Sequence, residues 1–167
     1  MFFWWQALVA GFVATVVMAA LMRMGASMGM TRMDMMVMLG SMFRRDEAGA
    51  RRLGTPIHFM NGLVFGLVYG VAWWALGPDP ANAWWIGLVF GAVHAVVAMA
   101  MMPVMSSMHP RVRERAGQVE GGPVAGDVAL PPFGFGGTGF GSMTPVGILM
   151  GHLVFGLVWG LVLAWLV

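Results

Sequence analysis

Three histidines, His58, His94 and His152, sit inside long apolar stretches, and they are the first residues to ask for chemistry. An imidazole at such a place can hold a proton, bond a carbonyl or ligate a metal, and ionisable groups inside membrane spans are functional suspects by default. Measured at about 1.5 Å per helical residue from the arginine-bearing ends of the spans, His58 lies about 4 Å deep, Asn61 about 9 Å, His152 about 12 Å and His94 about 16 Å. These depths allow the side chains to meet. His152 stands four and eight residues before Gly156 and Gly160, so it should face another helix rather than lipid. Two outcomes follow. Either a neutral histidine bonds to Asn61 or a carbonyl and clasps the helices together, or the group serves as a ligand or proton carrier.

Methionine is the second chemical signal. Of nineteen methionines, ten lie between Met18 and Met42 and five between Met99 and Met108. His94, Met101, Met105 and Met108 share one helical face. Thioether and imidazole suit Cu(I), which makes His58, His94, His152, Met101 and Met105 the candidate metal ligands. Methionine is equally a flexible filler of apolar packing. A haem is the other cofactor these residues admit, with His94 and His152 as axial ligands from facing helices. If the histidines only clasp the bundle, no cofactor is expected.

Signatures of catalysis are missing. The chain has no cysteine, hence no thiolate nucleophile, disulfide or thiolate metal site. Its serines, at 27, 41, 106, 107 and 142, lie outside the apolar stretches. No nucleophile elbow, His-Glu-x-x-His or phosphate loop is present. The apolar stretches hold no carboxylate or arginine, which argues against an ion-coupled transporter as well. The expectation is a protein that is not an enzyme.

The elements that must position these residues are membrane helices. The 167 residues are 59% hydrophobic and 10% charged, with a mean hydropathy of +0.80, far from the usual globular composition. Four stretches, about 3–22, 56–76, 83–105 and 144–166, are long enough to cross a bilayer, and they form one membrane domain over 1–167. The first lacks a basic leader region and is too long for a signal peptide's apolar segment, so it reads as a retained span. All nine basic residues are arginines, and all fall between spans one and two or between spans three and four. The positive-inside rule makes that side cytoplasmic and puts both termini outside. Trp4, Trp5, Trp73, Trp74, Trp84, Trp85 and Trp165 gather at the opposite ends as an interfacial belt. A formal charge of +2 carried in loops beside a membrane does not point to nucleic acid.

Packing is written in glycine. Gly62, Gly66 and Gly70 form one stripe, Gly87 and Gly91 a second, and Gly147 with Gly151 and Gly156 with Gly160 a third. The words Gly62-Leu63-Val64-Phe65-Gly66 and Gly87-Leu88-Val89-Phe90-Gly91 are identical, and His152-Leu153-Val154-Phe155-Gly156 repeats them with histidine first. Such stripes let helix backbones approach within lipid. Beyond the bilayer itself, they point to self-association or to other membrane subunits as partners. The first arginine-rich connection carries Thr31-Arg32-Met33-Asp34, a capping sequence that predicts a short interfacial helix over about 32–43. In the second, residues 121–142 are rich in glycine and proline with Phe133, Phe135 and Phe140 among them, which predicts a flexible loop acting as a reentrant flap or a docking arm. Pro103 should free the carbonyl of Met99 and bend the end of span three.

Three segments together, Met28 to Asp34 with Met38-Leu39-Gly40-Ser41-Met42-Phe43, His58 to Gly62 with Phe65 and Tyr69, and Gly151 to Val154, resemble a bacterial family of small four-span inner-membrane proteins catalogued as a domain of unknown function. That resemblance implies a multi-pass inner-membrane protein and no catalytic residues. The expected fold is an all-α membrane protein, a four-transmembrane-helix bundle with a short interfacial helix in the first cytoplasmic loop. The expected role is that of an accessory or structural subunit, with a copper- or haem-binding membrane protein as the alternative.

Overall fold

The computed structural model describes residues 4–77, 79–117 and 126–167. The fold is all-α. Among the described residues six helices follow in order: α1 (Trp4–Ser27), α2 (Met35–Gly40), α3 (Glu47–Leu76), α4 (Ala83–Met108), α5 (Pro110–Arg115) and α6 (Thr144–Leu166). Short 3-10 turns at Pro80–Asn82 and Phe135–Phe140 complete it. Among the described residues there is no strand, only an isolated bridge between Asp46 and Asp127. Helices α1, α3, α4 and α6 are each long and apolar enough to cross a membrane.

Several boundaries differ from the expectation, for local reasons. Helix α3 starts at Glu47, nine residues before Pro56, and runs through that proline. Its first turns are polar, so a hydropathy threshold misses them, but Ala50, Gly54 and His58 at four-residue spacing give them a buried stripe. Likewise α4 continues past Pro103 to Met108. The short helix covers Met35–Gly40 rather than 32–43, because Asp34, not Thr31, supplies the cap: its Oδ1 accepts from the Val37 N–H at 3.0 Å.

Two compact units can be distinguished, and α1, α3, α4 and α6 each contribute residues to both. The first unit takes the chain to Gly25, then Phe59–Val96 and Ile148–Val167. Here the glycine repeats pack the helices. A Cβ on Gly66 would meet Gly11 Cα at 2.7 Å and the Ala7 carbonyl oxygen at 2.8 Å, so α1 and α3 touch through their backbones. A Cβ on Gly62 would fall on the Thr15 hydroxyl, which donates to the Gly11 carbonyl at 2.6 Å. Helices α4 and α6 repeat the arrangement: a Cβ on Gly87 would overlap the Gly156 carbonyl oxygen, and one on Gly156 the Gly87 oxygen. Close contact of this kind supplies dispersion attraction that lipid would otherwise share equally with every face. The core between the helices holds Trp159, Leu163, Tyr69, Trp73 and Phe155 with Ala10 and Ala14. Trp159 Nε1–H donates to the Gly66 carbonyl at 3.2 Å, so this buried indole has its partner.

The second unit comprises Ala26–His58 and Val97–Gly147. Helix α2 lies against the start of α3, where Gly40 meets Ala50 and Gly54 meets Met36 with no room for a side chain at either glycine. Met38, 1% exposed, is buried there, so α2 is a core element of this unit and not only an interfacial one. Of the expected 121–142 loop, residues 121–125 lie outside the described residues. The remainder packs through its aromatic rings: Phe133 and Phe140 are buried with ring centroids 5.2 Å apart, and of the three phenylalanines Phe135 is the exposed one. Backbone bonds tie the segment down, from Arg32 N–H to Phe140 O at 3.0 Å and from Phe133 N–H to the Ser106 hydroxyl at 2.9 Å.

Candidate functional site

In the first unit one tyrosine and two histidines come together. Tyr69 on α3 and His94 on α4 share a hydrogen bond between the phenolic oxygen and Nδ1, 3.1 Å long. His94 and His152, on α4 and α6, lie edge to face with ring centroids 4.4 Å apart and planes at 75°. His152 Nδ1 is 2.7 Å from the carbonyl of Ile148. A carbonyl only accepts, so His152 carries its proton on Nδ1 and leaves the Nε2 lone pair free. Among the described residues neither His94 Nε2 nor His152 Nε2 has a hydrogen-bond partner.

Apolar rings enclose this group, and the sequence repeat places them. Phe65 lies over His94 with centroids 3.9 Å apart, Phe90 is 5.3 Å from Tyr69, and Phe155 is 5.5 Å from Tyr69 and 6.3 Å from His94. These are the three phenylalanines of the three Leu-Val-Phe-Gly words. Each word thus puts glycine against a neighbouring backbone and phenylalanine against the Tyr69 and His94 side chains. The spacing of one residue between phenylalanine and glycine does both, because adjacent helical positions point about 100° apart.

Of the five candidate ligands, the structure brings together His94 and His152. His58, buried, belongs to the second unit, as do Met101 and Met105. Met101 is 45% exposed and points out from α4. Asn61 is exposed and among the described residues makes no side-chain hydrogen bond; the two histidines bond to a carbonyl and a phenol instead. Met18, a buried methionine of α1, reaches the backbone beside His152: a Cβ on Gly151 would lie 3.4 Å from its terminal methyl. Among the described residues no three histidine, aspartate or glutamate side chains gather as a metal centre. A haem does not fit between His94 and His152, whose rings are in van der Waals contact. The backbones leave no slot there either, since a Cβ on Gly91 would overlap the His152 carbonyl oxygen.

A second polar cluster, in the other unit, is invisible to a search for intramembrane histidines. His109, 1% exposed, caps α5 by accepting from the Arg111 N–H at its Nδ1, 3.2 Å away, and its Nε2–H donates to the Met38 carbonyl at 3.0 Å. Arg111 and Glu114, each 7% exposed, form an ion pair, and the Arg111 Nε–H donates to the Ser41 carbonyl at 3.1 Å. Glu114 also takes Arg45 at 2.9 Å, and Arg45 reaches Asp127 at 3.2 Å. Burial pushes the His109 imidazole below its ordinary range, against the pull of the Met38 carbonyl and with a further push from the Arg111 charge. The signal for this cluster is local: His109-Pro110 is a cap followed by proline at the first helical position, and Arg111 with Glu114 is an i,i+3 pair. Its groups satisfy one another, which marks it as a fastening of the connections to the helices.

No protein family, curated protein or solved structure matches this chain, so its function is argued from these two clusters and from the surface around them.

Proposed function

We propose that the chain is a non-enzymatic accessory subunit of a bacterial cytoplasmic membrane, with both termini on the outer side, and that it docks onto another membrane protein. The observation that carries this reading is the contrast on the second unit. Its buried charges, Arg111 and Glu114, are matched with each other, and the more exposed Arg51 is matched with Asp34 and Glu47. Its large apolar side chains are not: Met28 and Phe43 are 69% exposed, Met108 67% and Phe135 60%. Met28, Phe43 and Phe135 lie in the connections, and Met108 is the last residue of α4. Exposed methionine is an adaptable contact residue, able to fit a partner without a preformed pocket. Of the stripe glycines, Gly62, Gly66, Gly87, Gly91, Gly156 and Gly160 already serve close contacts within the chain, whereas Gly147 has open space around it. The distribution of arginines supports the orientation, and the unmixed apolar spans support a role without a reaction.

Photo-methionine incorporated in growing cells, followed by irradiation of intact membranes, tests this. A discrete cross-linked species containing a second membrane protein is expected. It should disappear when Met28 and Met108 are replaced by leucine. A chain that stays uncross-linked and purifies as a lone monomer in mild detergent overturns the proposal.

A further inference from the structure

We infer that the second unit carries a binding surface for the headgroups of anionic phospholipids, formed by Arg44, Arg113 and Arg115. This inference does not rest on the docking proposal, which uses apolar side chains.

Three arginines of this unit are neutralised from within. Arg45, Arg51 and Arg111 form ion pairs with Glu114, Asp127, Asp34 and Glu47. Those are four of the five carboxylates among the unit's described residues, and the fifth, Asp46, accepts the Gly49 N–H at 2.6 Å. Arg44, Arg113 and Arg115 are exposed and pair with no carboxylate among the described residues. They are not scattered. Arg44 directly precedes Arg45, and Arg113 and Arg115 flank Glu114, so the Arg45–Glu114 pair at 2.9 Å brings all three beside one join between the two connections. The Val128 N–H, donating to the Arg45 carbonyl at 2.8 Å, fixes the backbone at that join. Like charges held together repel one another, and the carboxylate between them, Glu114, already serves two other guanidiniums. An anion from outside the chain relieves that repulsion.

Nearness to a span chooses the anion. Arg113 and Arg115 follow Met108, the last residue of α4, by five and seven positions. Even a fully extended chain would keep them within about 18 and 25 Å of that residue, and the turn of α5 shortens both distances. With α4 in a bilayer, the lipid phosphates of the facing leaflet are therefore their constant neighbours, at a local density that no dissolved anion matches. The guanidinium suits them, because its planar fork of N–H donors engages two phosphate oxygens at once. Basic clusters immediately beyond a membrane helix bind anionic lipid in this way, and each basic residue contributes about a fivefold preference. A zwitterionic headgroup carries its own cation beside the phosphate and would bring that cation to three arginines. The surface accordingly fits lipids of net negative charge.

The test uses the full chain in non-ionic detergent micelles, titrated separately with phosphatidylglycerol and phosphatidylcholine of equal chain length, with lipid adducts followed by native mass spectrometry. Phosphatidylglycerol should bind about 100-fold more tightly, the product of three fivefold contributions. Arg44→Gln, Arg113→Gln and Arg115→Gln should each lower its affinity about fivefold, and the triple variant should bind both lipids alike. Raising the ionic strength should narrow the difference in the wild type, as expected for exposed charges. Inorganic phosphate at the lipid's concentration should not compete. Because the three side chains are exposed and unpaired, the lipid-free triple variant should keep the wild-type circular dichroism and thermal midpoint; the comparison of the two lipids on the wild type needs no variant at all. Equal affinities for the two lipids, a phosphatidylglycerol preference that survives the triple substitution, or displacement by inorganic phosphate at equal concentration overturns the inference.

Discussion

At the scale of single residues, His109 makes the clearest demand. Its Nδ1 accepts the Arg111 N–H and its Nε2–H serves the Met38 carbonyl, so the ring is fully used only while neutral. A proton on Nδ1 would abolish the cap and set a cation beside Arg111. Folding therefore lowers the affinity of this imidazole for a proton. The unfolded chain binds the proton near pH 6.5 and the folded chain only at lower pH, so between those values the unfolded state holds more protons and stability rises with pH. The contribution of His109 is complete above about pH 6.5, declines as pH falls below it, and stops changing once the folded group also protonates. His109→Asn keeps a side chain able to cap α5 and removes the titration. Thermal unfolding followed by circular dichroism at pH 8 and pH 5 should show a smaller pH-dependent loss in His109→Asn than in wild type; equal losses would mean that the ring is not held neutral.

Among elements, the helices that pack through glycine are sharply sensitive to one methyl group. Gly87 and Gly156 face each other with carbonyl oxygens where a Cβ would go. Either Gly87→Ala or Gly156→Ala forces α4 and α6 apart, and overpacking of this kind costs about 1–3 kcal/mol. Gly147→Ala, at an exposed helical position with nothing within 4 Å, is expected to be neutral or to stabilise by up to about 1 kcal/mol. Unfolding in mixed micelles of increasing SDS fraction ranks the three; similar losses at all positions would contradict the contact. Both the four long helices and these contacts were legible in the sequence, the first from apolar length and the second from fourfold glycine spacing. The pairing was not legible. Spacing shows that Gly62 and Gly66 form a surface but not that α1, through Gly11 and Ala7, is what meets it, because the α1 row Ala7, Gly11 and Thr15 holds a single glycine and does not repeat the glycine wording of the other spans. For the same reason the join of Phe133 and Phe140 to the second unit was hidden: glycine and proline carry no periodicity, and the contacts that bury the two rings are tertiary. His94 and His152 were recognisable as a pair because apolar spans leave a polar group few choices. Tyr69 was missed as their partner, since a lone tyrosine in a span reads as packing.

For the whole molecule, the orientation in the membrane links the sequence pattern to any partner. Ala81, in the short connection before α4, and Ala116, just after α5, are both exposed, and the spans separate them to opposite sides under the proposed arrangement. The chain contains no cysteine, so single cysteines can be introduced without background. In right-side-out membrane vesicles, a membrane-impermeant maleimide should label Ala81→Cys at once and Ala116→Cys only after the vesicles are opened. The arginines drive this expectation: all nine lie in the two connections or in the helix ends that adjoin them, on the Ala116 side of the proposed arrangement, and moving that much charge across the bilayer during insertion is disfavoured. The reverse labelling would put Arg111, Arg113 and Arg115 outside the cell, and with them Met28, Phe43 and Met108. A cytoplasmic partner would then be impossible, and the docking surface would have to meet a protein or lipid of the outer side. Equal labelling of both cysteines before opening would place the two connections on the same side. The four helices would then not each cross the membrane once, whatever their length.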